Sequence, residues 1–439
     1  MRLCAPATHT DPACKPYIKE TALTSIQSVL AAFAIILIDL LGRAGLDKVL
    51  AIAGGPTLVG LWAQLQSVVE LVGAVTAAGV LQGLTVLVAQ ASESRDERGL
   101  LRDALKLGLA TSLAAGLIVA LASPELTVWL TQKRIANDLF LLAALTGWLA
   151  VVPATLNAYW LGKHQQQRML GLALLTSLTL LLVAASAWSG MSLRGLVWVQ
   201  SLVAAIIGIL IWHYMQGLSG VRGDVGDGAA YFRKLLKFVP VGLVIGIMSP
   251  ASMLLVRSML SSTLSWSDVG FLQALWRSTE WVTASAAGVL SLIFLPRFSS
   301  TYGSAEFRKE MSRAGVTVLV PAACLLLLIF FNQRSMLAAL YDARFVVSDK
   351  TAGLFMLGCW IRIAAWLFLY GLFSAHRTGL IMAGEILSLP LYALLLWLFA
   401  DGMTLERSAL LYLVSYLVYL VFTAASLRYA SRNAAVARG

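Results

Sequence analysis

Ten charged side chains lie inside or beside long apolar stretches, and they are the groups best able to do chemistry. They are Asp39, Arg43, Asp47, Lys48, Glu70, Arg257, Arg277, Glu280, Arg362 and Glu385. A charge at mid-membrane costs about 2.5–3.5 kcal/mol on helix-insertion scales, so such groups face a wet cavity or one another. We therefore expect ion pairing, ligand binding or proton transfer from this set.

Two sets of these charges could neutralise themselves within one helix. Asp39, Arg43 and Asp47 follow at intervals of four residues, and Arg277 and Glu280 are three apart. Residues at these spacings are neighbours on a helical face. Internal pairing and exposure to a cavity both remain open for the two sets.

Arg257 and Arg362 have no acidic residue within four positions, so each needs a partner from another helix or from a ligand. The guanidinium group presents a fixed fork of donors that matches phosphate oxygens. Together with Lys48 and Arg277, these arginines are predicted to bind a phosphate or pyrophosphate group.

Three carboxylates, Glu70, Glu280 and Glu385, are candidates for proton coupling. A desolvated carboxylate can load and release a proton near neutral pH. The alternative for each is a fixed salt bridge.

Aromatic side chains accompany one of the arginines. Trp366 and Tyr370 lie four and eight residues after Arg362, on the same helical face. They could stack on sugar rings, although packing and interfacial placement are the alternative.

The first helix of each half carries residues that could act as hinges. Gly42 and Gly45 lie in the first apolar stretch, and Pro240 and Pro250 lie in the seventh. Proline removes a backbone hydrogen bond and kinks a helix, which suits alternating access. The alternative is that both residue types are common in membrane helices.

The elements that must position these residues are membrane-spanning helices. Of 439 residues, 59% are hydrophobic and 13% are charged, and the mean hydropathy is +0.81. Soluble domains carry about 25% charge, so a soluble, disordered or rod-like protein is excluded. Long apolar blocks also argue against the alternating strands of an outer-membrane barrel. We predict an all-α polytopic membrane protein.

Apolar stretches of about 20 residues define twelve predicted spans. They cover 22–52, 57–90, 103–123, 138–160, 169–188, 193–214, 236–261, 267–296, 314–332, 351–373, 379–400 and 407–427. With a cytoplasmic N-terminus, 21 of the 33 Lys and Arg residues lie on the cytoplasmic side, 7 outside and 5 within spans. This bias predicts that both termini are cytoplasmic, and it accounts for the net charge of +11 without nucleic acid.

The chain repeats weakly at an offset of 210 residues. Val59-Gly60 matches Val269-Gly270, and Glu70 matches Glu280. Parallel repeats related by an axis along the membrane normal are typical of transporters with a central site. The predicted organisation is a cytoplasmic tail (1–20), a six-helix lobe (21–215), a cytoplasmic linker (216–235), a second six-helix lobe (236–427) and a cytoplasmic tail (428–439).

Enzymatic function is disfavoured, because no loop is large enough for a catalytic domain. The four histidines lie in the tail or toward cytoplasmic helix ends, and the four cysteines show neither metal-binding nor disulfide spacing. We expect no metal and no cofactor. A membrane glycan polymerase or ligase is the distant alternative to a transporter.

Several short segments resemble a known family in their order and spacing. They are Lys48-Val49-Leu50-Ala51 with Gly55-Pro56, Gly79-Val80-Leu81-Gln82-Gly83, Ser265-Trp266-Ser267-Asp268-Val269-Gly270, Leu295-Pro296 and Ala383-Gly384-Glu385. From about residue 20 to 430 the chain resembles the Wzx-type polysaccharide repeat-unit flippases of the MOP exporter superfamily. Within them it is nearest to the branch that handles enterobacterial common antigen.

The resemblance implies two six-helix lobes around a V-shaped central cavity in the bacterial inner membrane. It implies transport of undecaprenyl-pyrophosphate-linked oligosaccharides, of the O-antigen or enterobacterial common antigen type, from the cytoplasmic to the periplasmic leaflet. Lys48, Arg257 and Arg362 would line a cationic cavity. Asp39 departs from the expected pattern, either because Arg43 compensates it or because the glycan differs.

The expected partners are the lipid-linked oligosaccharide, membrane lipid, an H⁺ or Na⁺ coupling ion of an antiporter, and a glycan polymerase with its chain-length regulator in lipopolysaccharide biosynthesis. A lipid II-type flippase or a multidrug exporter of the same superfamily is the nearer alternative.

Overall fold

The computed structural model describes residues 15–90, 94–131, 135–163, 165–219, 232, 235–236, 239–375 and 377–436, and helices joined by turns and short loops are the regular structure of these residues. The first 14 residues, most of the predicted linker 216–235 and the last three residues lie outside this set.

The described residues of the first half form eight helices and one π-helical segment. In chain order they are α1 (Lys15–Thr76), a π segment (Ala77–Leu81), α2 (Gln82–Gln90), α3 (Ser94–Leu121), α4 (Ser123–Thr131), α5 (Asn137–Leu149), α6 (Val151–Gly162), α7 (Gln166–Trp188) and α8 (Leu193–Ser219).

The described residues of the second half form nine helices and one π segment. They are α9 (Val239–Thr263), α10 (Trp266–Val289), a π segment (Leu290–Phe294), α11 (Leu295–Thr301), α12 (Ala305–Phe331), α13 (Gln333–Leu340), α14 (Asp349–Ser374), α15 (Thr378–Ile386), α16 (Leu389–Leu398) and α17 (Leu405–Val436).

The chain turns back on itself within α1, at Gly55. Gly55 has φ 67° and ψ −163°, a left-handed conformation that glycine adopts without strain, and Pro56 follows it. Arg43 and Glu70 would be about 40 Å apart along a straight helix of 1.5 Å rise per residue. Their side chains instead lie 3.8 Å apart. The predicted spans 22–52 and 57–90 therefore meet at this turn.

Nine helices among the described residues are long and apolar enough to cross a membrane, or ten when the bent pair Ala34–Val75 and Gly79–Ala89 counts as one span. The sequence predicts twelve. The bent pair holds two of the predicted spans, because the turn at Gly55 lies inside it. Helix α9, which corresponds to the predicted span 236–261, is not among the ten.

The predicted hinge residues lie in unbroken helix. Within α1, Gly55 is the residue with non-helical dihedral angles, so the helix continues through Gly42 and Gly45. Pro250 is buried inside α9. Pro240 is the second residue of α9, and its side chain lies outside the described part. A hinge at these positions stays a prediction.

The two halves approach closely at a pair of glycines. A Cβ atom on Gly60 would lie 2.7 Å from the carbonyl oxygen of Trp266, and one on Gly270 would lie 2.0 Å from that of Pro56. Gly60 and Gly270 are the two residues that the 210-residue offset pairs. The start of the return segment of α1 thus packs backbone against backbone with the start of α10.

One buried apolar cluster runs through both halves. It extends from Leu46 to Val197 in the first half and from Met253 to Ala430 in the second. A smaller cluster fills the other end of the first half, from Val80 to Met215, and includes Leu235. The halves are therefore joined by a common core around Gly60 and Gly270.

Candidate functional site

A cavity of about 370 Å³ lies among the helices of the first half. Its charged lining residues are Asp39, Arg43, Asp47, Glu70 and Arg277. The other residues that line it are Leu46, Trp62, Gln66, Val69, Thr146, Leu149, Ala150, Pro153, Thr176, Ser177, Thr179, Leu180, Gln200, Ala204 and Ile207. The second half contributes Arg277, and three carboxylates face two guanidinium groups.

The turn at Gly55 brings four of these charges together. Asp39, Arg43 and Asp47 lie at successive turns on one face of α1, and Glu70 lies on the segment that returns beside it. The guanidinium of Arg43 pairs with Asp39 at 3.0 Å and approaches Glu70 at 3.8 Å. Asp39 and Arg43 thus pair within α1 and also line the cavity, whereas Asp47 finds its partner on another helix.

Arg277 joins the two halves through an ion pair. Its Nε atom lies 3.0 Å from Oδ2 of Asp47, and its Nη1 atom pairs with Glu280 on the next turn of α10. The Asp47 side chain is only 6% exposed and that of Arg277 is 15% exposed. Removing one partner would leave a buried charge without compensation.

Arg257 also reaches across the halves, but its acceptors are uncharged. Its guanidinium donates to the carbonyl oxygen of Ala63 at 2.9 Å, to the hydroxyl of Ser67 and to Oε1 of Gln273 at 2.7 Å. Arg257 is 6% exposed and does not belong to the lining of the cavity. The structure therefore differs from the expected cationic cavity, because neutral oxygens already occupy this guanidinium.

The contacts of Arg257 and Asp47 are related by the repeat. Asp47 and Arg257 are 210 residues apart, and so are Ser67 and Arg277. Asp47 contacts Arg277, while Arg257 contacts Ser67. Under the 210-residue offset each contact therefore maps onto the other.

Arg362 is surrounded by aromatic rings. Its guanidinium carbon lies 4.5 Å from the ring centroid of Trp366, 5.3 Å from that of Trp276 and 5.8 Å from that of Tyr416. Among the described residues it forms no ion pair. Cation–π attraction therefore supplies partners to this guanidinium, one from its own helix (Trp366) and two from other helices (Trp276 and Tyr416). Arg362 is not part of the cavity lining.

The remaining predicted residues lie outside the cavity. The Nζ atom of Lys48 donates to the carbonyl oxygen of Ala338 at 3.1 Å. The hydroxyl of Tyr370 lies 3.5 Å from the carbonyl oxygen of Ala287. In the second half, the hydroxyl of Tyr419 lies 3.4 Å from Glu385.

Two glutamines of the cavity had not been singled out in the sequence. Gln66 and Gln200 exchange hydrogen bonds of 3.0 Å and 3.1 Å between their side-chain amides. Both lie in apolar spans, where leaving a side-chain amide without a hydrogen-bond partner costs free energy. Their placement in those spans was the signal that could have identified them.

Arg344 had also not been singled out in the sequence. It lies in a loop of the second half and binds the residues of α1 that precede the turn at Gly55. It donates to the carbonyl oxygens of Ala51 and Ile52 at 2.7 and 3.1 Å, which are at the end of a helical segment. Its Nε atom lies 2.7 Å from Asp342 outside the spans, and this guanidinium lowers the pKa of the Asp342 carboxyl.

The described residues contain no group of three or more His, Cys, Asp or Glu side chains placed to hold a metal ion. The polar groups that line the cavity are paired charges, hydroxyls and amides. Such a site can exchange ion-pair partners, bind an anion or cation, and take up protons.

The chain is similar to known transport proteins. It is 22% identical to the Lipid III flippase of Escherichia coli (strain K12) over 408 residues, covering 85% of this chain and 90% of that protein. No protein-family model matches the chain.

Solved structures of transporters share its fold, and two of them illustrate the similarity. An inward-facing multidrug resistance MATE family transporter of the MOP superfamily has a TM-score of 0.67 at 10% identity, covering 91% of this chain and 96% of its own. The Lipid II flippase MurJ, in an inward closed conformation, has a TM-score of 0.65 at 13% identity, covering 94% and 90%. These relatives are flippases and transporters rather than enzymes, and the chain has the all-helical, multi-pass fold of MOP-superfamily transporters.

Proposed function

We propose that this protein is a flippase for a lipid-linked precursor, in which a pyrophosphate joins an oligosaccharide to a polyprenyl chain. The observation that carries the proposal is the charged cavity, which holds five ionisable groups among helices that cross the membrane. Similarity to a Lipid III flippase along 85% of the chain supports a lipid-linked substrate. The proposed substrate is undecaprenyl-pyrophosphate-linked oligosaccharide of the enterobacterial common antigen or O-antigen type.

The barrier that such a protein lowers is the desolvation of the headgroup. Moving a charged or polar group through hydrocarbon is costly unless it finds partners. The hydroxyls, amides and charges of the cavity replace water around the pyrophosphate and sugars, while the polyprenyl tail stays in lipid. Transport runs from the cytoplasmic to the periplasmic leaflet of the inner membrane.

Ion-pair exchange is the proposed coupling step. The arginines of the cavity are already paired with carboxylates, so a pyrophosphate competes with Asp47 and Glu280 for Arg277, and with Asp39 and Glu70 for Arg43. A carboxylate that loses its arginine in a desolvated site binds a proton or cation more readily. Binding of the anion and uptake of H⁺ or Na⁺ are thereby linked.

The other predicted contacts belong to a second conformation in this proposal. Lys48, Arg362, Trp366 and Tyr370 lie outside the cavity as the structure shows it, and Arg362 has no carboxylate partner among the described residues. Movement of the halves about the contact of Gly60 with Gly270 would bring further groups to the headgroup, and Arg257 would hold the halves together. Glu385 is the proposed carboxylate for ion exchange in the second half.

The test is a flipping assay in proteoliposomes with a defined lipid-linked oligosaccharide, comparing Arg277→Ala and Arg277→Lys with Arg334→Ala. Arg334 is an exposed arginine whose pair with Asp349 spans 3.5 Å outside the cavity. We expect at least a tenfold loss for Arg277→Ala, partial activity for Arg277→Lys because lysine lacks the bidentate fork, and wild-type rates for Arg334→Ala.

A strain without the gene supplies a second readout. The lipid-linked intermediate should accumulate on the cytoplasmic side, and surface glycan should be lost although its polymerase and chain-length regulator are present. Wild-type flipping by Arg277→Ala, or no accumulation in the deletion strain, would contradict the proposal.

Export of cationic drugs is a second candidate, and one observation favours it. The cavity holds three carboxylates against two guanidinium groups, a balance that suits a cation. Trp62 is the single aromatic residue among its lining residues, which gives a lipophilic cation little to stack on. Ethidium efflux from the same proteoliposomes, with no flipping of the lipid-linked oligosaccharide, would establish this function instead.

A further inference from the structure

A second cleft, of about 710 Å³, opens at one end of the helices of the second half. It shares no residue with the charged cavity. Its walls come from the α11–α12 turn, the beginning of α12, the C-terminal part of α14 and the end of α17. The lining residues are Gly303, Ser304, Phe307, Arg308, Met311, Phe368, Leu427, Arg428, Ser431 and Arg432.

Among the described residues, the lining of the cleft includes three arginines and no acidic residue. Arg308, Arg428 and Arg432 are exposed, and none of them forms an ion pair with any residue that the structure describes. Other arginines at this end of the molecule are paired, since Arg297 and Arg313 lie 3.8 and 3.2 Å from Glu310. The cleft therefore concentrates uncompensated positive charge.

Apolar side chains lie beside these charges. Phe307 and Leu427 are buried, and Met311 and Phe368 are half-buried against them. The span Glu306–Phe331 begins at the cleft, and the span Leu405–Arg432 ends there. The arginines thus lie at the ends of two candidate spans, beside an apolar wall.

We propose that this cleft binds an anionic phospholipid of the surrounding membrane through its phosphate. Basic pockets between membrane helices bind such headgroups, and three guanidinium groups favour a lipid with two phosphates, such as diphosphatidylglycerol. Two serine hydroxyls are the other polar side chains in the lining, so the cleft has little with which to bind an oligosaccharide. The site is a bound-lipid site, separate from the transport route.

Lipid binding to the purified full-length protein tests the proposal. Native mass spectrometry or fluorescence titration would compare diphosphatidylglycerol, phosphatidylglycerol, phosphatidylcholine and undecaprenyl pyrophosphate. We expect diphosphatidylglycerol to bind at least tenfold more tightly than phosphatidylcholine. Each surface arginine contributes about fivefold to the affinity for anionic lipid, so Arg428→Gln with Arg432→Gln should weaken binding about 30-fold.

The matched control is Arg313→Gln, on the same helix as Arg308 but outside the cleft, and it should leave lipid affinity unchanged. Equal affinity of the wild-type protein for diphosphatidylglycerol and phosphatidylcholine overturns the proposal, whether or not the variants fold. Tighter binding of undecaprenyl pyrophosphate to the same three arginines overturns it in favour of a substrate entry site. Equal loss in Arg313→Gln overturns it in favour of non-specific charge.

Discussion

At the scale of single residues, three arginines in apolar helices are stabilised by three different kinds of partner. Arg277 pairs with carboxylates, Arg257 donates to neutral oxygens, and Arg362 lies among aromatic rings. Each solution needs groups from more than one helix. An arginine that would be costly to bury alone therefore connects its helix to a neighbouring one through these contacts.

The Asp47–Arg277 pair should contribute strongly to stability. Arg277→Ala leaves the carboxylate of Asp47 buried, so we expect a loss of about 3–5 kcal/mol in the free energy of unfolding. Denaturation in mixed micelles measures it, and the double variant with Asp47→Ala should lose less than the sum of the single variants. Arg313→Ala, at an exposed pair, should cost at most about 1 kcal/mol. Strict additivity would contradict the coupling.

The exposed Asp342–Arg344 pair should give a pH-dependent stability. Because Arg344 lowers the pKa of Asp342 in the folded protein, the contribution is fully present above the ordinary carboxyl pKa of 3.8 and is lost as the pH falls through the lower folded value. The Tm difference between wild type and Asp342→Asn should be constant from pH 7 to about 5 and shrink below about 4. A difference that grows on acidification would contradict the assignment.

Local spacing predicts the local part of the site. The pairs Asp39–Arg43 and Arg277–Glu280 follow from helical neighbours at four and three residues. The contact of Asp47 with Arg277 cannot be predicted from helical spacing. It joins residues 230 positions apart and depends on how α1 and α10 cross. For the same reason the sequence could not decide between another helix and a ligand as the partner of Arg257, whose acceptors come from two other helices.

At the scale of elements, close backbone approach decides where the helices cross. Gly60 and Gly270 allow the return segment of α1 to contact α10 without an intervening side chain. Small residues at such crossings are characteristic of membrane helices, where packing rather than hydrophobic burial drives association. The repeat in the sequence identified these two glycines, although it did not show that they touch.

Gly270→Ala should destabilise the protein by about 1–3 kcal/mol, because the new methyl group would lie 2.0 Å from the carbonyl oxygen of Pro56. Gly45→Ala is the matched control. No atom lies within 4 Å of its added Cβ, so it should stabilise α1 by about 0.5–1 kcal/mol. Thermal unfolding in detergent compares the two, and equal effects would contradict the packing argument.

Gly45→Ala also tests the predicted hinge. A bend at Gly45 would be opposed by alanine, so a functional hinge predicts slower transport from a protein that is more stable. An unchanged transport rate would show that α1 does not bend at this position.

Apolar length predicted most of the helices but not their interruptions. The predicted span 138–160 contains the boundary between α5 and α6, and two spans pass through π segments at Ala77–Leu81 and Leu290–Phe294. A π segment inserts one extra residue into a turn and leaves the apolar pattern almost unchanged. Hydropathy is therefore insensitive to it.

At the scale of the whole molecule, the distribution of Lys and Arg predicts which face is cytoplasmic. Cysteine labelling in a variant without the four native cysteines tests it. A membrane-impermeant maleimide should label Asp401→Cys, between α16 and α17, in spheroplasts. It should label Ser304→Cys, between α11 and α12, only after permeabilisation. The reverse pattern would invert the predicted topology.

The contact between the halves limits how the two could have diverged. Ala63 and Gln273 occupy equivalent positions in the repeat, and both accept from the one guanidinium of Arg257. If the halves arose by gene duplication, positions 47 and 257 would at first have carried the same residue. A charged residue at both positions would then have placed two like charges in the contact between the halves. Opposite charges at residues 47 and 257 remove that repulsion. A single chain can carry a different charge at each of the two positions, whereas a symmetric homodimer would carry the same charge at both.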